Sequence, residues 1–295
     1  MANTRDIRRR IKSIKNTSQI TKAMQMVAAS KMRKAQQLAM AGRPYAQLLN
    51  KVLTSAKQGV EEQIHPLLQK RPVKKIGVLL ISTDKGLCGG LNTNLMREAG
   101  LCNPDATLFV TVGRKGKAFV TRMKRNLIGD FEMKEIPTAA YAGSIAQFMI
   151  DCFLKGEIDQ IDVLYTDFIS VINQKPTRRQ LVPIVELKSL QAGVEGSSAS
   201  NHQEETDVVP PEATFEPSAA DVLSALLPAY INFQVYQCYL EAKASEHSSR
   251  MVAMKNATDN AKQLIKDLTL EYNKVRQAGI TNELLEITTS QMAMN

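Results

Sequence analysis

The sequence predicts an α/β protein. Two long terminal helices pack on each other as a left-handed coiled coil, and a separate α/β head lies between them. Three observations lead there. Apolar residues step by threes and fours through the first 57 or so residues, and do so again from about Ser218 to Glu286. Between these stretches, short β-branched runs alternate with helical ones, the pattern of a mostly parallel sheet with helices on its faces. At about 1.5 Å per residue the two helices would reach roughly 80 and 100 Å. A compact chain of this size has a radius of gyration of about 19 Å. Neither helix fits inside such a body, so each must bury its stripe on the other. The division read from these patterns is 1–57 for the N-terminal coiled-coil helix, 74–190 for the head, 191–217 for a flexible connector and 218–295 for the C-terminal helix.

The first helix begins with Asn3 or Thr4 as a cap and Asp6 near the positive end of its dipole. Its seam is Ile7, Ile11, Ile14, Ser18, Thr21, Gln25, Ala28, Met32, Ala35 and Ala39, with Ile20, Met24 and Val27 as a parallel stripe beside it. Gly42 and Pro44 interrupt the pattern. Because Tyr45, Leu48, Leu49, Val52 and Leu53 resume it, a kink is expected rather than an end.

In the middle segment, Lys75 to Ser82, Leu108 to Val112, Asp162 to Ile169 and Gln180 to Leu187 read as strands, and Phe131 to Ile136 as a weaker one. Helices are expected near Leu91–Ala99, Arg114–Arg125 and Ile145–Leu154. The order implies a Rossmann-like head. From Gln191 to Pro211 the chain is rich in Gly, Ser, Asn and Glu, the composition of a connector. The last helix carries the longest pattern, from Leu223 through Tyr230, Gln237, Ala244, Met251, Thr258, Ile265 and Tyr272 to Val275. That stretch exceeds six heptads and predicts a left-handed supercoil. Its seam mixes sizes and polarities, as suits one unequal partner helix. Pro228 is expected to kink the first turns.

The net charge is +9, and its excess is local. Before residue 60 the only acid is Asp6, against a series of bases running from Arg5 to Lys57. This basic sleeve calls for an anionic partner. The 13 methionines and 5% aromatic content suit adaptable helix–helix seams. Cys88, Cys102, Cys152 and Cys238 are scattered without a CxxC pattern, so they read as reduced thiols and no metal site is expected. No apolar run approaches the roughly 18 residues needed to cross a bilayer, so direct membrane insertion is not expected.

The loop Gly86-Leu87-Cys88-Gly89-Gly90 follows a strand and precedes a helix, the place of a phosphate cradle. It matches neither GxGxxG nor GxxxxGK[ST], and a tight turn for close packing explains it better. His65, His202 and His247 are dispersed and read as packed or solvated. Catalytic residues and cofactors are accordingly not expected. The basic sleeve lacks interleaved aromatics for base stacking, so an acidic protein groove suits it better than nucleic acid.

The run DIRRRIKSIKNTSQITKAMQMVAASKMRKAQ at the start, SEHSSRMVAMKNATDNAKQLIKDLTLEYNKVRQAGITNELLEI near the end and STDKGLCGGLN in the middle together resemble the gamma subunit of F-type ATP synthase. The resemblance covers both helices and the first βα unit. It implies a non-catalytic rotor stalk whose two terminal helices form an antiparallel coiled coil inside a ring of three alpha and three beta subunits. The head would sit on the epsilon subunit and the c-ring, and rotation of the asymmetric shaft would couple ion flow to ATP synthesis or hydrolysis. It further implies roles for particular residues. Met24 in ITKAM matches a position where substitution uncouples rotation from catalysis. Arg276 and Gln277 in VRQA match a pair touching a loop of beta. Thr281, Glu283 and Glu286 match positions that compensate for the Met24 site. Arg9, Arg10 and Lys12 would face an acidic lever segment of beta. Phe215 and Glu216 in FEPS would face the c-ring loops, with Phe215 where relatives often carry Tyr. The tail ITTSQMAMN departs from the Gly/Ala-rich end common in relatives.

The location expected is the cytoplasmic face of a bacterial cell membrane, as a peripheral protein. Two other readings stand beside this one. An enzyme with helical extensions would give the head a nucleotide affinity, and a basic coiled-coil nucleic-acid binder would dimerise and shift duplex DNA on a gel.

Overall fold

The computed structural model describes residues 4–58, 65–69, 71–184 and 218–294. Its elements are α1 (Thr4–Ala41), α2 (Arg43–Gln58), β1 (Ile76–Ile81), α3 (Leu91–Gly100), β2 (Thr107–Val112), α4 (Arg114–Arg122), β3 (Asn126–Phe131), α5 (Ala139–Leu154), β4 (Gln160–Phe168), β5 (Gln174–Val182) and α6 (Ala219–Met294). They form two units, Met1–Ala28 with Arg250–Asn295 and Ala29–Ser249, and α1 and α6 contribute to both.

In the first unit α1 and α6 run antiparallel. Arg8 Nη2 donates to the Tyr272 hydroxyl at 2.6 Å, with the guanidinium 5.4 Å from the ring centroid. Thr21 and Thr258 join their hydroxyls at 2.7 Å. Every expected seam residue of α1 from Ile7 to Ala28 is buried or half-buried, as is every one on α6 from Met254 to Val275. A two-helix pair covers only one stripe of each member. The neighbouring stripe therefore turns outward: Met24 is half-buried, but Ile20 and Val27 are 60% and 54% exposed.

The second unit is built on a five-stranded sheet of order β3-β2-β1-β4-β5, parallel except for β5. Continuous apolar runs such as Ile76–Ile81 suit strands covered on both faces. Helices α3 and α4 cover one face, where Leu95, Ala99 and Val120 meet Val78, Leu80, Phe109 and Leu164. The other face carries α2, α5 and the first part of α6, where Leu53, Met149 and Tyr239 join Leu79, Ile81 and Val110 in the main core. The strand order reverses between β1 and β4, so this is a doubly wound, Rossmann-like arrangement. From Ile231 to Ser248 nearly every α6 residue is shielded, including Gln234, Glu241, Lys243 and His247.

The break after Ala41 is a bend. Gly42 N–H donates to Leu38 O and Ala46 N–H to Gly42 O, so helical bonding carries through. Pro44 falls in the first turn of α2, where its missing donor costs nothing. Helix α6 continues through Pro228.

Three boundaries in the head differ most from expectation. Strand β3 spans Asn126–Phe131 rather than 131–136, because it is a half-exposed edge with Gly129 at its middle. Strand β5 starts at Gln174 rather than 180. It is the antiparallel edge, and its polar run QKPTRRQ, with Pro176 tolerated there, shows no apolar alternation. Helix α5 starts six residues early at Ala139, capped by the Thr138 hydroxyl, which accepts from Tyr141 N–H at 3.2 Å. Small residues in its first turns conceal the period. The rest of the expected strand beyond 184, the connector 191–217, and Phe215 and Glu216 lie outside the described residues.

Candidate functional site

The residues singled out in the sequence fall on the helix pair of the first unit. Arg9, Arg10 and Lys12 are exposed in the first turns of α1, with Asp6 as the one nearby acid on that helix. The contacts Arg8–Tyr272 and Thr21–Thr258 fix the register, which sets the start of α1 level with Arg276. Arg9, Arg10, Lys12, Arg276 and Gln277 thus gather at one end of the pair. Met24 lies about 20 Å further along α1 from Arg10.

Thr281, Glu283 and Glu286 lie past the start of α1, on a stretch of α6 that is exposed all round. The Thr281 hydroxyl donates back to Gln277 O at 3.0 Å. Along the helix, Thr281 is about 40 Å from the level of Met24. The structure does not bring the Met24 site and its three matching positions together. Any link between them has to run through the helix pair or through a surrounding partner.

Sequence reasoning missed the apolar residues on this free end. Ile280, Leu284 and Ile287 step by four and three along one face, and all are at least half exposed, with Leu285 beside them. On α1, Ile20, Met26 and Val27 are likewise exposed. The signal was available as apolar residues off the seam of an otherwise charged helix. Large apolar side chains left uncovered along a helix face mark an interaction surface.

In the second unit, an ionic cluster ties the loop after β3 to α1 and α6. Lys31 Nζ lies 2.7 Å from Glu135 Oε1, and His247 Nε2 lies 3.6 Å from the same oxygen. Burial would raise the Glu135 pKa, but the Lys31 hydrogen bond and the charges of Lys243 and His247 outweigh it and hold it below the usual carboxylate range. Lys243 and Glu246 pair within α6 at 3.2 Å, both nearly inaccessible. Deeper in the same unit, burial and the Asp167 charge push Glu241 up to about 7 against the opposing pull of Arg179. All four cysteines are buried thiols, and burial raises those of Cys102, Cys152 and Cys238, the last to about 12. Thiols so placed are poor nucleophiles.

The glycine loop after β1 holds Leu87 and Gly89 at positive φ, 62° and 57°. Two α6 hydroxyls fasten this loop and the β4–β5 loop: Ser249 donates to Cys88 O at 2.6 Å and Ser248 to Val171 O at 2.8 Å. The crevice where such sheets bind dinucleotides is therefore walled by α6. Among the described residues no group of three or more His, Cys, Asp or Glu side chains could hold a metal ion, and no helix is long and apolar enough to cross a membrane.

A family model described as ATP synthase matches residues 3–294. The ATP synthase gamma chain of Opitutus terrae is 50% identical over 297 residues, covering 99% of each chain. That of Methylacidiphilum infernorum is 48% identical over the whole of both. Among solved structures, a chain from the central stalk and c-ring of the Tetrahymena thermophila mitochondrial ATP synthase aligns with a TM-score of 0.59 at 25% identity, covering 81% of this chain and 99% of that one. A chain from the Euglena gracilis mitochondrial ATP synthase (OSCP/F1/c-ring, rotational state 3) aligns with a TM-score of 0.66 over 99% of this chain and 94% of that one, at 20% identity, and so supports the fold. On a match that spans its length at half identity, the chain belongs to the ATP synthase gamma-chain family.

Proposed function

We propose that this chain is the central rotor stalk of an F-type ATP synthase, and that the antiparallel pair of α1 and α6 is its drive shaft. The chain is not itself the catalyst; in this family that chemistry belongs to the beta subunits of the complex. The observation that carries the reading is the full-length match to gamma chains at half identity. The free apolar end of α6 and the basic first turns of α1 give it a physical basis. A shaft can bias three chemically equal sites only by contacting each differently, since an effector shifts an equilibrium by its differential interaction with the states. A two-helix pair with bases on one member and an unpaired apolar end on the other has no threefold symmetry, so it meets that requirement.

The partners are three alpha and three beta subunits around the helices, and the epsilon subunit and c-ring at the head. The segment containing Phe215 and Glu216 is assigned to the c-ring side. Arg9, Arg10 and Lys12 are assigned to an acidic segment of beta, and Arg276 and Gln277 to a loop of beta. Met24, half-buried at the edge of the seam, is assigned to coupling, with Thr281, Glu283 and Glu286 acting on the same coupling from the far end of α6. The chain is placed as a peripheral protein on the cytoplasmic face of a bacterial cell membrane. The functional division follows 1–57, 74–190, 191–217 and 218–295 as shaft, head, connector and shaft.

The test is Met24→Lys in the assembled complex. Ion-driven synthesis should fall severalfold while ATP hydrolysis partly survives. Undiminished synthesis would remove Met24 from the coupling path.

A further inference from the structure

Where α1, α6 and the loop after β3 meet in the second unit, they border a cavity of about 150 Å³. Ala35 and Leu38 of α1, Ile136 and Pro137 of the loop and Leu240 of α6 form its apolar walls. Lys31, Lys34, Lys243, His247 and Glu135 supply the polar part of its lining. We propose that this cavity is a binding site for a small free carboxylate with an apolar body, of the size and kind of benzoate. The inference goes beyond the stalk assignment and does not depend on it.

Size and charge point to that class independently. An apolar cavity of about 150 Å³ takes a benzene-sized molecule and holds water poorly. Ala35 and Leu240 are buried, so these walls belong to the folded body. Ile136 is by contrast 49% exposed, a large apolar side chain that the body of a ligand would cover. As for charge, three lysines line the cavity against one carboxylate. Lys31 matches Glu135 at 2.7 Å, and Glu246, outside the lining, matches Lys243 at 3.2 Å. Among the described residues Lys34 has no such match. It stands one turn from Leu38 on the same face of α1. One ammonium is therefore left over beside an apolar wall.

The lining also limits what can enter. Acetate would leave the apolar walls bare, and neutral benzamide would leave Lys34 unmatched. A cation would meet the lysines. Pockets for larger ligands usually run to about 300–1,000 Å³, so a nucleotide exceeds this space. Most of the binding would come from covering apolar surface. Lys34 is exposed, so its ion pair adds only a severalfold preference for the charged ligand. Because the walls come from three separate segments, a ligand here would also tie the loop after β3 to both helices.

The test is titration of the full-length ¹⁵N-labelled chain with sodium benzoate, with benzamide and sodium acetate as parallel arms. Benzoate should shift the amide signals of Ala35, Leu38, Ile136 and Leu240 in a saturable way. It should bind about three- to fivefold more tightly than benzamide. Acetate should give no saturable shift at these positions. Lys34→Gln should erase the preference for benzoate while both aromatic ligands still bind, and Lys34→Arg should keep it. Four results would each overturn the proposal: equal affinity for benzoate and benzamide in the wild type, a preference that survives Lys34→Gln, acetate binding as tightly as benzoate, or shifts that never saturate or centre on Arg9, Arg10 and Lys12. In the chain assembled with alpha and beta subunits, saturation-transfer signals of benzoate should be weaker for Lys34→Gln than for wild type. Equal signals there would show that a partner's side chain takes the cavity, and would overturn the assignment to a free ligand.

Discussion

Glu241→Gln should make the chain more stable at pH 8 and have little effect at pH 5. Glu241 is 5% exposed on α6, and burial together with Asp167 moves its carboxyl from 4.5 up to about 7 despite Arg179. The folded form therefore keeps a proton that the unfolded form releases through that window. Stability linked to this group is fully present below pH 4.5 and is lost as pH rises through 7. The gap corresponds to about 3 kcal/mol, since each pKa unit is worth about 1.4 kcal/mol. Glutamine keeps the shape without the charge and so avoids that loss. The assay is urea unfolding of the wild-type and variant full-length chains at both pH values, with amide exchange over 231–248 as the local readout. The variant should gain up to about 3 kcal/mol at pH 8 and stay within about 1 kcal/mol of wild type at pH 5. A variant that is less stable at pH 8 would show the charged Glu241–Arg179 pair to be a net stabiliser and refute the reasoning.

Two further substitutions probe the scaffold. Gly113 sits at φ 96°, and a Cβ there would meet the Ser82 carbonyl oxygen at 2.5 Å. Gly113→Ala should therefore cost roughly 3 kcal/mol or more, read as a fall in the urea midpoint. In the seam, Thr21→Val removes one side of the 2.7 Å hydroxyl pair with Thr258 and should cost about 1 kcal/mol. The double variant with Thr258→Val should cost less than the two single changes added together, because neither hydroxyl is then left behind. Strict additivity in that cycle would show that the two hydroxyls do not interact.

The helix pair was readable because one physical rule dominates it. Seam residues from Ile7 to Ala28 and from Met254 to Val275 are covered in the positions that the three-and-four spacing demands. The central parallel strands were readable for a similar reason, since β1, β2 and β4 are buried on both faces and hence apolar throughout. The edges were not. Strand β5 is held by pairing with β4 rather than by an apolar face, so QKPTRRQ carries no periodic signal. Helix α5 opens on Ala, Ala and Gly-Ser positions whose burial depends on what packs over them.

The site was legible through resemblance more than through pattern. Nothing in the charge of Arg9 or Arg276 says which surface it faces. The apolar stripe of Ile280, Leu284 and Ile287 could have been flagged from spacing alone, but along the chain it merges with the seam. The cavity beside Leu240 draws on three separate segments, which only the folded chain brings together.

The most direct test of the stalk assignment is rotation itself. Alpha and beta subunits would be assembled with this chain, fixed to a surface and given ATP, with a bead attached to the head. The bead should turn steadily in one direction while ATP is hydrolysed. Hydrolysis at full rate beside a bead that only fluctuates about one position would contradict the account.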